Sequence, residues 1–247
     1  MRRIALGYGL VCYVAFLGVF VYAIGFVGNV LVPKSVDAPV VAVGWLRAFI
    51  RDAGLLLLFA VPHSVMARPG FKSWWTRFVP PPIERSTYVL QSSLLLCVLY
   101  WLWIPIPAVI WEVSFQATRA VIWGLFWLGW LVALVSTFLI DHFDLFGLRQ
   151  VYLFWMNRTG EAIGFRTPLL YRWVRHPLIL GFLVAFWAAP TMTGGRLLFA
   201  VATTAYCLIA LRLEERDLLR YFGDQYERYQ KQVPMVVPIP RRRRNRP

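Results

Sequence analysis

Long uninterrupted apolar runs, more than any alternation, set the pattern of this chain. Four of them, at about residues 4–32, 44–66, 86–103 and 120–140, reach the roughly 18 residues that mark a membrane-spanning helix. The first is almost free of polar side chains and predicts an anchor that packs against lipid only. It is too long for a signal-peptide core and no small-x-small cleavage site follows it, so it is expected to be retained. The second starts amphipathically with Arg47, Arg51 and Asp52 and ends at Pro62, His63 and Ser64. The third carries Tyr88, Gln91 and Ser92 at helical spacing, a polar stripe that faces the bundle or glues helices together. A short, weakly charged turn over residues 105–119 precedes the fourth.

Two shorter apolar segments follow. Residues 177–189 cover only about 20 Å at 1.5 Å per residue, against a hydrocarbon core of about 30 Å, so this helix is expected to stop short of a full crossing. The chain turns back through residues 197–211 and continues as an amphipathic helix, on which Leu208, Leu211, Glu215, Leu218 and Phe222 share a stripe by i+3 and i+4 spacing. The predicted fold is all-α: a polytopic membrane helical bundle of four spanning helices plus a C-terminal helical hairpin, five to six crossings, and a cytoplasmic helix. Residues 1–140 hold the four spans. Residues 141–247 hold a site-lining loop, the hairpin, the helix and a basic tail, all within one integrated domain.

Composition agrees with a membrane protein, since 59% of the 247 residues are hydrophobic and 15% charged. A net charge of +14 could point to nucleic acid, but the basic residues gather in loops and tail, where the positive-inside rule and anionic lipid account for them. Arg68, Lys72, Arg77 and Arg85 mark one cytoplasmic loop, and Arg149, Arg158, Arg166, Arg172 and Arg175 another. Both termini are thus expected on the cytoplasmic side of the membrane. The tail Arg241-Arg242-Arg243-Arg244 is expected to touch anionic headgroups, each arginine contributing about 1 kcal/mol. Cys12, Cys97 and Cys207 stand alone in apolar segments without metal-ligand spacing; they are expected to be core fillers, and no metal is expected.

Candidate chemistry concentrates in a few places. Asp52 and His63 lie three helical turns apart on one face, about 16 Å by the helical rise. Membrane-embedded ionisable groups face a cavity or a partner, although His63 at a span's end can also simply bond a carbonyl. After the fourth span comes Asp141-His142-Phe143-Asp144-Leu145-Phe146-Gly147-Leu148-Arg149-Gln150, dense enough in ionisable groups to read as a site lining. Arg175 and His176 stand before Pro177, which opens a helix at its first position. The exposed N–H groups and the positive end of the helix dipole there suit an anion. Glu215 interrupts the apolar stripe of the last helix and needs a partner: Arg212, an arginine of the 171–176 stretch, or a cationic ligand.

Val174-Arg175-His176-Pro177, Gly181, Glu214-Glu215, the run FGDQYERY from Phe222 to Tyr229, and Val233-Pro234 together resemble the isoprenylcysteine carboxyl methyltransferase superfamily. Upstream, LFAVPHSVMARPGFKSWW, ERSTYVLQSS and DHFDLFGLRQ look like the related bacterial methanethiol S-methyltransferases and their NnrU-type cousins, extending the resemblance over most of the chain. The resemblance implies that the hairpin and C-terminal helix enclose S-adenosylmethionine, with Tyr171, Val174, Arg175, His176, Pro177, Gly181, Glu214, Glu215 and Tyr226 at the cofactor site. The superfamily often has tyrosine two residues after the proline, and this chain has Ile179.

S-Adenosylmethionine brings the reactive sulfonium, so the protein has to align donor and acceptor and favour the anionic nucleophile. A thiol acceptor near the free-cysteine pKa of about 8.5 needs a base or a cation. His63, Asp141, His142 and Asp144 are candidate bases, His142 with Asp141 or Asp144 foremost, and Arg149 a candidate for stabilising thiolate. The expected activity is methylation of a small thiol, methanethiol, to dimethyl sulfide. The alternatives are an isoprenylcysteine or lipid methyltransferase, and a non-enzymatic protein in which His63 and His142 ligate haem.

Overall fold

The computed structural model describes residues 1–160 and 164–238. The tail at Arg241–Arg244, expected to meet lipid, lies outside the described residues. Helix α1 (Arg2–Gly28) ends four residues before the predicted limit, because Asn29 takes a left-handed conformation and its N–H returns to the Gly25 carbonyl. Helix α2 (Trp45–Met66) starts one residue inside the predicted limit, with Gly44 as its N-cap, and ends where predicted; a short α3 (Pro69–Trp75) occupies the basic loop after it. Helix α4 (Pro81–Leu102) starts ahead of its apolar run, since Pro81 suits a first turn and Glu84 complements the dipole there. Strand β1 (Val109–Glu112) leads to α5 (Gln116–Ile140), then α6 (His142–Leu145), α7 (Leu148–Trp155), a 3-10 turn (Leu169–Arg172), α8 (Pro177–Trp187), β2 (Thr191–Thr193), α9 (Gly194–Phe222) and α10 (Asp224–Gln232).

Helices α1, α2, α5 and α9 are long and apolar enough to cross a membrane. Helix α9 joins that set because it runs unbroken for 29 residues, where the sequence suggested a shorter segment with an extension. Helix α8 has only 11 residues, the short member expected of the hairpin. The tightest crossing lies between α5 and α8. A Cβ on Gly181 would lie 2.6 Å from the Ala133 nitrogen and the Gly129 oxygen, and one on Gly129 would lie 2.6 Å from the Ala185 nitrogen and the Gly181 oxygen. Only glycine allows these backbones to touch.

Aromatic rings fill the centre, where Phe26, Trp103, Phe126, Trp130 and Phe199 are buried together with Ala185. Helix α1 packs on α4 and α7, and Tyr8 bonds Thr87 at 3.0 Å, so its expected role against lipid alone is corrected: its apolar face serves the bundle as well. Cys12 and Cys207 are buried, but Cys97 is exposed, so it is not a core filler.

The end of the bundle that carries the strands is closed by contacts the sequence did not announce. Strands β1 and β2 pair antiparallel, Val109 opposite Thr193 and Glu112 opposite Thr191, within what reads as a plain turn. Trp103 donates to the Val36 carbonyl at 3.0 Å, Arg196 pairs with Asp37 at 3.2 Å, and the Thr193 hydroxyl donates to Asp37. Asp52 belongs here, accepting the Ile104 N–H at 3.0 Å, which separates it from His63 at the other end of α2.

Candidate active site

At the opposite end the separate sequence motifs form one knot. Pro177 occupies the first turn of α8, and His176 before it makes no side-chain cap bond, which leaves its ring free to turn toward α9. Arg175 donates from Nε to Glu215 Oε1 at 2.6 Å and from Nη1 to the carbonyls of Val233 at 2.6 Å and Gln230 at 3.1 Å. His176 Nε2 lies 3.1 Å from the same carboxylate oxygen. Tyr226 and Gln230 also donate to Glu215, at 3.4 and 3.0 Å. The backbone N–H groups of Arg175 and His176 bond the carbonyls of Pro234 at 2.9 Å and Met235 at 3.1 Å.

The anion that the Arg175–His176 mouth attracts is therefore the protein's own Glu215, and Arg212, exposed on the same helix, takes no part. A hydrogen-bonded carboxylate facing a guanidinium is the arrangement that makes burial of both charges tolerable. Gly223, with φ 54°, turns the chain out of α9 into α10, so that Tyr226, Tyr229 and Gln230 come back over Glu215 and the 3-10 turn. Tyr229 donates to the Tyr171 carbonyl at 2.5 Å, and the Tyr171 phenol donates to the Ser136 carbonyl on α5 at 3.3 Å. Burial holds the phenols of Tyr171 and Tyr226 above their ordinary range and pushes Tyr229 up to about 12, so all three remain neutral donors. Val174 and Pro177 are buried beside the knot, and Gly181 sits one turn further, at the α5 crossing.

Glu214 differs from its neighbour. Its side chain is 53% exposed, and its nearest ion-pair contact is His176 Nδ1 at 4.0 Å. It lies within electrostatic reach of Tyr171 and Tyr226 on one side and of Tyr88 and Tyr206 on the other. The knot thus sets two carboxylates, Glu214 and Glu215, beside one guanidinium, Arg175.

The stretch from Asp141 to Gln150 is bonded largely within itself. Asp141 caps α6 by accepting the Asp144 N–H at 3.1 Å; Arg149 lies 3.2 Å from Asp144 and 4.0 Å from Asp141; Gln150 donates to the Asp144 carbonyl at 3.0 Å. His142 does not hydrogen-bond these acids. Its Nε2 is 2.7 Å from the Tyr13 phenol, its Nδ1 2.8 Å from Thr137 Oγ1, and its ring stacks on Phe138 at 4.1 Å. Burial lowers its pKa against a weaker opposing pull from Asp141.

His63 stands on another wall, its Nδ1 2.9 Å from Ser92 Oγ and its Nε2 3.0 Å from the Tyr88 phenol. Phe146 lies between the two histidines, 4.9 Å from the His142 ring and packed against the Met66, Tyr88 and Val89 cluster. Ring nitrogens of both face protein hydroxyls, which leaves no ready pair of haem ligands. Tyr13, Thr137, Tyr206 and Gln230 are the site neighbours that sequence reasoning missed. Gln230 alone left a trace, four residues after Tyr226 on one face of α10.

A helical membrane protein with a carboxylate-centred polar site at one end of its bundle is the class that these features define. No family model matches the chain, and no solved structure matches it. It is 57% identical over 242 residues, 98% of each chain, to a protein named methanethiol S-methyltransferase from Mycobacterium tuberculosis. It is 54% identical over 237 residues to methanethiol S-methyltransferase 2 of Bradyrhizobium diazoefficiens, covering 96% of this chain and 91% of that one. More distantly, it is 33% identical over 208 residues to Nurim from Bos taurus, 75% of this chain and 76% of that one. The chain belongs to the methanethiol S-methyltransferase family, a family of enzymes.

Proposed function

We propose that this protein, embedded in the bacterial inner membrane with both termini cytoplasmic, transfers the methyl group of S-adenosylmethionine to methanethiol, giving dimethyl sulfide. The observation that carries the reading is the uncommitted Glu214 carboxylate beside the locked Arg175–Glu215–His176 knot, in a chain close to proteins named for methylating that thiol.

The donor set fits the cofactor. S-Adenosylmethionine carries a net positive charge and several hydroxyl and amine donors, and the knot offers two carboxylates, of which Glu214 is exposed. Glu214 and the Nδ1 side of His176 are placed to touch it; Arg175, Glu215 and Tyr226 hold them; Tyr171, Val174, Pro177 and Gly181 shape the floor. When bound, the cofactor supplies an electrophilic methyl group on a sulfonium. The chain's part is to fix its orientation, to exclude water with buried phenols and aliphatic walls, and to take the thiol's proton. Ile179 leaves hydroxyl contacts to these phenols. The basic tail adds adhesion to anionic headgroups.

The test is incubation of detergent-purified protein with methyl-labelled S-adenosylmethionine and, separately, methanethiol, hydrogen sulfide and a prenylated cysteine. Labelled dimethyl sulfide in the headspace is the expected result. Preference for the prenylated acceptor overturns the small-thiol assignment. Stoichiometric haem with no calorimetric response to S-adenosylhomocysteine overturns the reaction class.

A further inference from the structure

We infer that the acceptor thiol binds in a second site, an aromatic-walled box built by α2, α4 and α9, and that His63 takes its proton. The inference rests on the methyltransferase reading and adds to it the seat of the acceptor.

The box begins with a weakness in α2. Pro62 has no N–H to give the Leu58 carbonyl, so the helix loosens one residue before His63. The His63 ring stacks on Phe59 at 5.0 Å and meets the edge of Tyr206 at 6.4 Å and the tilted ring of Tyr88 at 5.1 Å. These walls suit a methyl group and a polarisable sulfur. The residue itself is half-buried.

Hydrogen bonding fixes its tautomer. The Ser92 hydroxyl has one proton and donates it to the Tyr88 carbonyl at 2.9 Å, so toward His63 Nδ1, 2.9 Å away, Ser92 acts as acceptor. Nδ1 therefore carries the imidazole proton and Nε2 the lone pair. The Tyr88 phenol lies 3.0 Å from Nε2 and 3.2 Å from Nδ1 and has a further acceptor, the His63 carbonyl at 3.3 Å, so it can turn aside when a thiol arrives. His142 has the same tautomer by the same logic, since Thr137 donates to the Leu134 carbonyl at 2.7 Å. Its Nε2, however, is filled by Tyr13 and its ring is sealed by Phe138, Phe143 and Phe146.

The box also adjoins the donor site. Arg68, just past α2, pairs with Asp217 at 2.8 Å, binding the end of α2 to α9 one turn beyond Glu214. The charged and titratable groups facing His63 are Arg85 and Tyr88 from α4 and Tyr206 from α9. The Arg85 guanidinium lies 5.0 Å above the Tyr88 ring and braces it.

The balance is simple. The thiol S–H bond breaks and its proton goes to His63 Nε2; the sulfur pair forms the new S–CH3 bond as the donor's C–S bond breaks, its electron pair staying on the donor sulfur. The positive charge of the sulfonium reappears on His63, which then returns the proton to water.

Two measurements test the inference. The chain has three histidines, so imidazole-labelled protein gives three assignable NMR signals; adding methanethiol in the presence of S-adenosylhomocysteine is expected to move the His63 signal. His63→Gln is expected to lower turnover of methanethiol by about 10²-fold or more, while leaving S-adenosylhomocysteine affinity within about threefold. The deficit is expected to shrink for trifluoroethanethiol, which ionises without help. His142→Gln should lose far less. Movement of the His142 signal in place of His63, or wild-type turnover in His63→Gln, overturns the inference. If that variant does not fold, the wild-type titration decides. If the wild type fails to bind S-adenosylhomocysteine, the donor reading falls, and methanethiol alone still has to move the His63 signal.

Discussion

Arg175 Nε and Glu215 Oε1 meet at 2.6 Å across forty residues of sequence, with neither side chain more than 10% exposed. Removing one partner leaves the other charge buried, which costs about 3 to 5 kcal/mol. Arg175→Ala and Glu215→Ala are each expected to lower the melting temperature sharply in detergent. Because they act on one contact, the double variant should be much less damaged than the sum of the two. Additive losses would show that the pair is not coupled.

Glu214, one residue earlier, should behave in the opposite way. Its exposed carboxylate contributes little to folding, so Glu214→Gln is expected to stay within about 0.5 kcal/mol of the parent's stability. Its loss should weaken S-adenosylhomocysteine binding about tenfold, the effect of losing one charge-assisted hydrogen bond of about 1.5 kcal/mol. Calorimetry reads the affinity and thermal melting the stability; unchanged affinity would remove Glu214 from the donor site.

The glycine crossing offers an internal control. Gly181→Ala puts a methyl group 2.6 Å from backbone atoms of α5 and is expected to cost about 1 to 3 kcal/mol or more. Gly124→Ala, on α5 where nothing lies within 4 Å, should be neutral or mildly stabilising. Equal melting temperatures for the two variants would refute the close approach.

His142 gives a pH dependence with a definite sign. Burial lowers its pKa in the folded protein below the ordinary value of about 6.5, so the unfolded chain binds more protons in that window. The stability it contributes is complete above about pH 6.5 and is lost as pH falls through the folded pKa. His142→Asn should flatten the slope of melting temperature against pH below that point. An unchanged slope would show that the imidazole is not the group responsible.

Three of the four predicted spans, α1, α2 and α5, were legible because membrane helices announce themselves by length and apolarity; α4, predicted as the third, falls outside that set because Arg85, Gln91 and its serines dilute its apolar run. Strands β1 and β2 were not: four and three residues long, they show no alternation, and β1 is exposed throughout. Their pairing joins positions some eighty residues apart. The motif residues were legible as a group, yet sequence could not choose among the partners of Glu215, because an i−3 neighbour and a tertiary arginine look alike until the fold brings one of them near. His142 stood out by its charged surroundings, but Asp141 and Asp144 bond α6, Arg149 and Gln150 instead, a local preference of Asp near helix starts.

The contact of Gly129 with Gly181 bears on how small molecules travel. A seam where two backbones touch can part only if a whole helix moves, so no lateral gate opens between α5 and α8. The seams that α9 makes with α8 and α2 are filled by rings instead: Phe186 against Phe199 and Phe59 against Tyr206. Rings can swing aside on the timescale of side-chain rotation. An oily thiol dissolved in the bilayer, and the oilier thioether leaving for it, would then pass through revolving aromatic doors along α9, with the α5–α8 plank as the fixed frame.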